Sequence, residues 1–534
     1  MKNGRRKDIP DVCIIGAGLV GGLMAYELAS RGLKVVVLEA GPRYNLQDRH
    51  AYMMDVVSGR IPGWPFASNL PERDIYSNAG EVEYPLNHLR VKAIGGSTLQ
   101  WGAQIWRFLE SDFRLKSLHG IADDWPIGYD ELEPYYAKSE RALGVAGVVD
   151  NPFMSWRSSD YPMPEFPFSP ADKLFRDACQ KLAILVHTIP WARNSVPYKN
   201  RSVCVAFSTC ASFRICPIAA QYTSENHLDL ATATGNSAVI ANANVVRLIT
   251  DRQKRITSAV YVSHDKKESE QKARMFVLAA HTVETARLLL LSESSQFPHG
   301  LANGSGMVGK NFMERPAVAI HGILKQSVFP HRIGFPTAGS LQFCDPKNRH
   351  EIGGMKMAFH TLGAPMPYKI ARESGNWGKT LADEVEQSFG HEIIAEAAIE
   401  QLPDPGNTVT LDPKLRDCFG DPAPRITYSF GAYEKRTLEA GAKLSRNILA
   451  AVGAEEAEDG EDHGFAGHPM GTCRMGNDPA SSVVDRNLQA HEVSNLYIVG
   501  GSVFVTGGSL QPSLTMAALA IRAAEHIAES KGRD

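Results

Sequence analysis

A chain of 534 residues, 43% hydrophobic and 22% charged, has the composition of an ordinary globular protein and the length of two or three domains. Its formal net charge of −3 offers no basic footprint for a nucleic-acid partner, and no apolar run is long enough to span a bilayer, so no direct transmembrane anchor is expected. Eight cysteines in a chain of this length do not read as a disulfide framework.

The segment Met1 to Lys7 is basic and carries Arg5-Arg6, as a twin-arginine signal does. The apolar stretch that follows is the first strand of the fold and cannot be cleaved away, so the segment reads as a solvated tail and no export signal of the chain's own is expected. Val12-Cys13-Ile14-Ile15 is a continuous apolar run, the pattern of a buried parallel strand. Gly16, Gly18 and Gly21 then form GxGxxG: a tight turn, a bare backbone for a pyrophosphate, and close packing of the next helix, expected from about Gly21 to Ser30. Leu33 to Leu38 is a second apolar strand, and Glu39 follows about 20 residues after the glycines, where an acid binds a ribose hydroxyl. This order predicts a dinucleotide fold for FAD or NAD, and the acid argues against a 2′-phosphate.

Residues 46–90 are rich in Pro, Asn and aromatic residues and predict loop or lid. Gly95-Gly96-Ser97 offers bare N–H groups, suited either to a second approach to a phosphate or flavin ring or to a plain turn. Residues 124–146 read as a capped amphipathic helix, and 151–200 as proline-rich chain with little periodicity. Short strands are expected at Val239-Ile240, Val245-Val246 and Val260 to Val262, and a buried strand at Phe276 to Ala280 with a helix after it. From about 315 to 460, strand-like pieces such as Ala317 to Leu324 and Thr408 to Leu411 alternate with Pro- and Gly-rich loops before a helix at Ala432 to Val452. This predicts a second domain on an antiparallel sheet, built for substrate. Leu496 to Gly501 returns to strand and glycine turn, and Ser513 to Lys531 is a terminal helix.

GAGLVGG with LEAGPR, AIGGSTLQWGAQIWRF, VLAAHTVETARLLLLS, MVGKNFMERP, HPMGTCRMG, VVD, NLYIVGGSVF and SLTMAALAIRAAEHI together resemble the glucose–methanol–choline (GMC) oxidoreductases from end to end. DWPIGYDELEPYY, ARNSVPY and CPIAAQY look most like the catalytic subunit of bacterial FAD-dependent glucose and sugar dehydrogenases, with pyranose oxidases more distant. The resemblance implies an α/β fold: a discontinuous Rossmann-like FAD-binding domain from 1–45, 80–150, 200–314 and 460–534, and a substrate-binding domain with lid from 46–79, 151–199 and 315–459. It implies FAD rather than NAD, and hydride transfer from a CH–OH group to flavin N5. The cofactor-binding positions it marks are Gly16, Gly18, Gly21, Glu39, Arg43, Gly95, Gly96, Ser97, Val246, Ala280, Gly501 and Ser502.

His468, in HPMGTCRMG, stands where the family places its catalytic histidine. A neutral imidazole suits removal of the hydroxyl proton that must leave with the hydride. The second active-site position, usually histidine or asparagine, falls on Gln511, which can bind a substrate oxygen but cannot act as a base. Read without the family, Gln511 is a loop glutamine. Pyranose oxidases attach FAD through a histidine before a tryptophan; here Gln100 precedes Trp101, so the FAD is expected to be non-covalent. His281 and Arg315 also depart from the family and receive no catalytic role.

Cys204, Cys210 and Cys216, the last before Pro217, stand where the glucose dehydrogenase relatives hold a [3Fe–4S] cluster, although the second spacing is longer than the family's. Three free thiols or a vestigial site are the competing readings. The leading functional expectation is a sugar or glycoside dehydrogenase with a non-oxygen acceptor, working with a small chaperone-like subunit and a cytochrome. Export to the bacterial periplasm with that partner, or a cytoplasmic location, would follow. A soluble sugar oxidase and a catalytically inactive flavoprotein subunit are the alternatives.

Overall fold

The computed structural model describes residues 9–57, 74–206, 216–263, 265–328, 335–361 and 366–531. Val12–Ile15 and Val35–Leu38 pair in parallel, and both are fully buried, which is why every residue in them is apolar. They belong to a five-stranded parallel sheet in the order Leu496–Ile498, Met275–Leu278, Val12–Ile15, Val35–Leu38, Ser237–Ile240. The outer members come from the middle and the end of the chain, so this sheet gathers distant segments around the first strand. Helix Leu19–Ser30 follows the glycine turn and packs against helices Glu225–Ala233 and Ser513–Lys531. A three-stranded antiparallel excursion, Asn244–Thr250, Ile256–Val262 and Glu268–Lys272, lies between two strands of the parallel sheet.

The second large sheet is antiparallel and has six strands: Glu455–Phe465, Pro316–Ile323, Glu392–Ile399, Met355–His360, Ala338–Ser340 and His187–Thr188. Side chains alternate across a strand, and here the alternation divides the sheet into two chemically different faces. Val318 and Ile320, Met355, Met357 and Phe359, and Ile393, Ala395, Ala397 and Ile399 form one apolar cluster with Leu438, Ala442, Ile448 and Leu449 of helix Ala432–Val452 and Phe175 of helix Pro170–Lys181. The other face carries Lys356, Ala358 and His360 on one strand and Glu396 and Ala398 on its neighbour, Glu396 lying opposite Ala358 and Lys356 opposite Ala398. The expected antiparallel sheet is therefore present.

Three expectations are corrected. Part of the expected 46–90 loop is helical, over Leu46–Val57. The proline-rich stretch 151–200 contains helix Pro170–Lys181, started by Ser169, whose side chain accepts from Asp172 N while Asp172 reaches back to Ser169 N. Strand Glu455–Phe465 runs across the boundary drawn at 460 and pairs with Pro316–Ile323.

Candidate active site

A cavity of about 500 Å³ runs from the glycine turn of the parallel sheet to the polar face of the antiparallel sheet. At its first end Gly16 has φ +106, and a Cβ there would lie 2.6 Å from the carbonyl oxygen of Ala279. A Cβ on Gly21 would meet the Gly16 carbonyl oxygen at 2.0 Å, so helix and turn pack as closely as the motif requires. Gly18 differs: nothing lies within 4 Å of its Cβ position, leaving bare backbone toward the cavity. Gly96 and Ser97 line the same end, and Gly95 N donates to the Ala17 carbonyl at 3.1 Å, joining the second glycine loop to the first.

The Glu39 carboxylate accepts from Ala17 N at 2.8 Å and Gly41 N at 3.0 Å and lines the cavity. Burial pushes its carboxyl up to about 7 against the pull of those two N–H groups. Val246, Ala280 and Gly501 also line the cavity. Ser502 does not; its carbonyl accepts from Cys473 N and its Oγ is buried without a partner. Arg43 does not line it either. Its guanidinium is on the surface, 2.9 Å from Asp229.

The far end holds His468, Gln511, Arg315, Lys356, His360 and Glu396. Glu314 sets up this region. Its carboxylate accepts from the backbone N of His468, from Arg315 N at 2.9 Å and from the Tyr84 hydroxyl at 2.9 Å, fixing the HPMG turn against the start of the antiparallel sheet. Arg315 then joins two loops: Nη1 donates to the Ser509 carbonyl at 3.0 Å, and Nε donates to Nδ1 of His468 at 3.4 Å. Since a guanidinium only donates, Nδ1 is the acceptor here and the neutral ring carries its proton on Nε2. Burial, then the charges of Arg315 and Lys356, hold the imidazole well below its usual pKa, so the ring is neutral.

Lys356 Nζ donates to Gln104 Oε1 at 2.6 Å, and Gln511 Nε2 donates to the same oxygen. The carboxamide of Gln511 is thereby oriented, and its Oε1 is left buried without a donor. Burial, then the Arg315 charge, pulls the Lys356 ammonium down to about 7. Burial alone would raise Glu396; His360, Lys356 and Arg315 outweigh it and hold that carboxyl at about 2, ionised. Lys356, Glu396, His360 and Gln104 were not singled out from the sequence. Their signal was the alternation in Met355 to His360, whose even positions are Lys, Ala and His.

His281 lines the cavity near the glycine turn and caps helix Thr282–Leu291, its Nδ1 accepting from Val283 N at 3.3 Å. Cys204 Sγ accepts from Ala206 N at 3.4 Å and Cys216 Sγ from Gln221 N at 3.5 Å. Cys210 lies outside the described residues, and among those described no three His, Cys, Asp or Glu side chains form a metal set.

The glycine cradle, the open backbone at Gly18, the acid at the second strand and the long cavity fit FAD and define an FAD-dependent oxidoreductase. An FAD-dependent oxidoreductase family model matches residues 11–51, and GMC oxidoreductase models match residues 89–317 and 403–520. The chain belongs to the GMC oxidoreductase family. It is 33% identical to the fructose dehydrogenase large subunit of Gluconobacter japonicus, over 97% of each chain. It is 30% identical to 2-methyl-1,2-propanediol dehydrogenase of Mycolicibacterium austroafricanum (97% of this chain, 95% of the other). With the gluconate 2-dehydrogenase flavoprotein of Pantoea cypripedii it shares 24% identity (97% and 93%). Among solved structures, formate oxidase of Aspergillus oryzae superposes with a TM-score of 0.69 at 15% identity, covering 99% of this chain and 100% of that one.

Proposed function

We propose that this chain oxidises a CH–OH group of a sugar or glycoside, with His468 taking the hydroxyl proton, and passes electrons to an acceptor other than oxygen. The observation that carries this reading is Arg315, which binds both the His468 ring and the Ser509 carbonyl and so brings the HPMG turn and the Gln511 loop to one end of the cavity. The names of the fructose and gluconate dehydrogenase relatives support a sugar, and "large subunit" supports a partner subunit; a small chaperone-like subunit and a cytochrome acceptor complete the proposal.

Bound FAD would supply the hydride acceptor, held without a covalent link by Gly16, Gly18, Gly21, Glu39, Gly96 and Ser97. The chain's own work is to hold the alcohol and move its proton. The second N–H of Gln511 Nε2 donates to the substrate oxygen and fixes its direction, leaving the hydroxyl proton for His468. To take the proton, His468 must present its lone pair to the cavity, which moves the ring proton to Nδ1 and releases the contact to Arg315. A neutral ring is what a proton acceptor requires, and burial keeps it neutral.

Anaerobic stopped-flow reduction of the flavin by neutral sugars, polyols and simple alcohols tests the reading. A sugar should reduce it, and His468→Ala should retain FAD while losing about 10²–10⁴-fold in rate. Gln511→Ala should lose less, since it removes orientation alone. An unchanged rate in His468→Ala would remove His468 from the proton step. A cluster on Cys204, Cys210 and Cys216 is part of the same proposal; protein purified without air should contain iron and sulfide, and their absence would end it.

A further inference from the structure

The polar face of the antiparallel sheet is more than a wall. A sheet that only closed a cavity would need small or apolar residues there, and Ala358 and Ala398 supply them. Between them stand Lys356, Glu396 and His360, all on the cavity. Lys356 is buried and His360 and Glu396 are half-buried, and withdrawing such groups from water is costly unless each finds a partner. Their partners within the chain are incomplete. Among the described residues, Glu396 has one close polar neighbour, His360 Nε2 at 3.5 Å, and Lys356 makes no ion pair. Nδ1 of His360 is buried without a hydrogen bond. The ammonium of Lys356 uses one of its three donors, on Gln104.

The face therefore offers an acceptor-only carboxylate and, near it, a lysine nitrogen with donors to spare. A carboxylic-acid substrate would set its charge against Glu396. A simple alcohol would leave both groups without a ligand partner, and a site built to hydrogen-bond a substrate hydroxyl discriminates against a ligand lacking it. Two hydroxyls on neighbouring carbons fit: one donates to the carboxylate and the other accepts from the lysine nitrogen, and the ligand carries no charge of its own.

We propose that Glu396, with Lys356 and His360 beside it, forms the subsite that recognises a vicinal diol of an uncharged polyhydroxylated substrate, next to the carbinol that is oxidised. The assignment rests on the sugar-oxidation reading above and narrows it to neutral polyols. Lys356 also ties the subsite to the reacting end, because the Gln104 oxygen that it binds is the one that orients Gln511.

The test uses the flavin-loaded protein and anaerobic stopped-flow reduction by D-fructose, D-glucose, 1,5-anhydro-D-glucitol, D-gluconate and 1-propanol, followed by monodeoxy analogues of the best sugar. Neutral polyols should outrun D-gluconate and 1-propanol. Removing one hydroxyl of the recognised pair should cost the parent about 10- to 100-fold in the second-order reduction constant, the range of a hydrogen bond to a charged group. In Glu396→Gln that deoxy penalty should shrink to within about threefold. The apparent Kd for the full sugar should rise. Glu396→Asp, which keeps the charge and retracts the carboxylate by one methylene, should give an intermediate penalty and covers the case in which Glu396→Gln fails to fold. A deoxy penalty that is absent in the parent, or retained in full in both variants, overturns the subsite and leaves sugar oxidation standing. Preference for D-gluconate overturns the neutral-substrate claim. Reduction by no sugar in the panel overturns the functional reading and this subsite with it.

Discussion

Arg315 Nε points at Nδ1 of His468, 3.4 Å away, so a permanent cation stands beside the ring that the catalytic reading makes a proton acceptor. Arg315 is buried and His468 half-buried, and the backbone N–H groups of both residues end on one carboxylate, Glu314. Arg315 thus positions the ring and also makes it harder to protonate.

The second effect has a measurable sign. A base works only unprotonated, so flavin reduction should fall as pH drops through the His468 pKa. Burial, Arg315 and Lys356 place that limb well below pH 6.5 in the parent. Arg315→Gln removes one of the three causes and should move the acid limb upward, toward the ordinary histidine range, while burial keeps it from arriving there. The pH dependence of the anaerobic reduction rate gives the answer. An unmoved limb, with the flavin retained, would mean that the charge of Arg315 does not govern this ring.

Arg349 supports a prediction about stability. Its side chain is fully buried and meets both Asp112 and Glu400, and Tyr433 donates to the Glu400 carboxylate at 2.6 Å. Asp112 lies in the short helix Glu110–Phe113, and Glu400 follows strand Glu392–Ile399, so one guanidinium ties that short helix to the end of a strand of the antiparallel sheet. Removing one partner of a buried pair leaves uncompensated charge, here two carboxylates. Arg349→Ala should lose about 3–5 kcal/mol, read as an earlier denaturant midpoint with an unchanged m-value.

The dinucleotide end of the site was legible because its geometry is local. Gly16, Gly18, Gly21 and Glu39 sit at fixed offsets along one strand–turn–helix–strand unit, and steric limits at Gly16 and Gly21 leave little choice of residue. Arg43, which the resemblance marks for the cofactor, has its guanidinium beside Asp229 in this ligand-free chain. The substrate end was harder to read. Lys356 sits in Met-Lys-Met-Ala-Phe-His, where a lysine on one face of a strand usually means a solvated face. Only the pairing with Glu392–Ile399, a contact far away in sequence, turns that face into the roof of a cavity. The helix at Pro170–Lys181 was readable from Ser169, Pro170 and Asp172, but the density of prolines around it hid the capping box.

On the proposed reading, Glu39 should make cofactor binding depend on pH. In the ligand-free chain, burial outweighs the N–H groups of Ala17 and Gly41 and leaves the carboxyl at about 7. It is therefore largely protonated at pH 5 and largely ionised at pH 8. The hydroxyls of the FAD ribose are donors, and donors to a carboxylate favour its ionised form. Binding should lower this pKa and release part of a proton, so FAD affinity should rise with pH through the range around 7, by at most about tenfold per unit for a single group. The linkage applies to stability with the opposite sign. A carboxyl raised above its unfolded value contributes fully to the ligand-free fold only below that unfolded value, and its contribution fades as pH climbs toward 7. FAD should therefore raise the melting temperature more at pH 8 than at pH 5. Glu39→Gln, which cannot ionise, should bind FAD more weakly at pH 8 and show a flatter pH dependence. Apoprotein prepared by acid release of the flavin, titrated with FAD by fluorescence quenching at several pH values, measures both effects. Flavin that stays with the acid-precipitated protein would instead show a covalent attachment, and parallel pH profiles for parent and Glu39→Gln would assign the dependence to a different group.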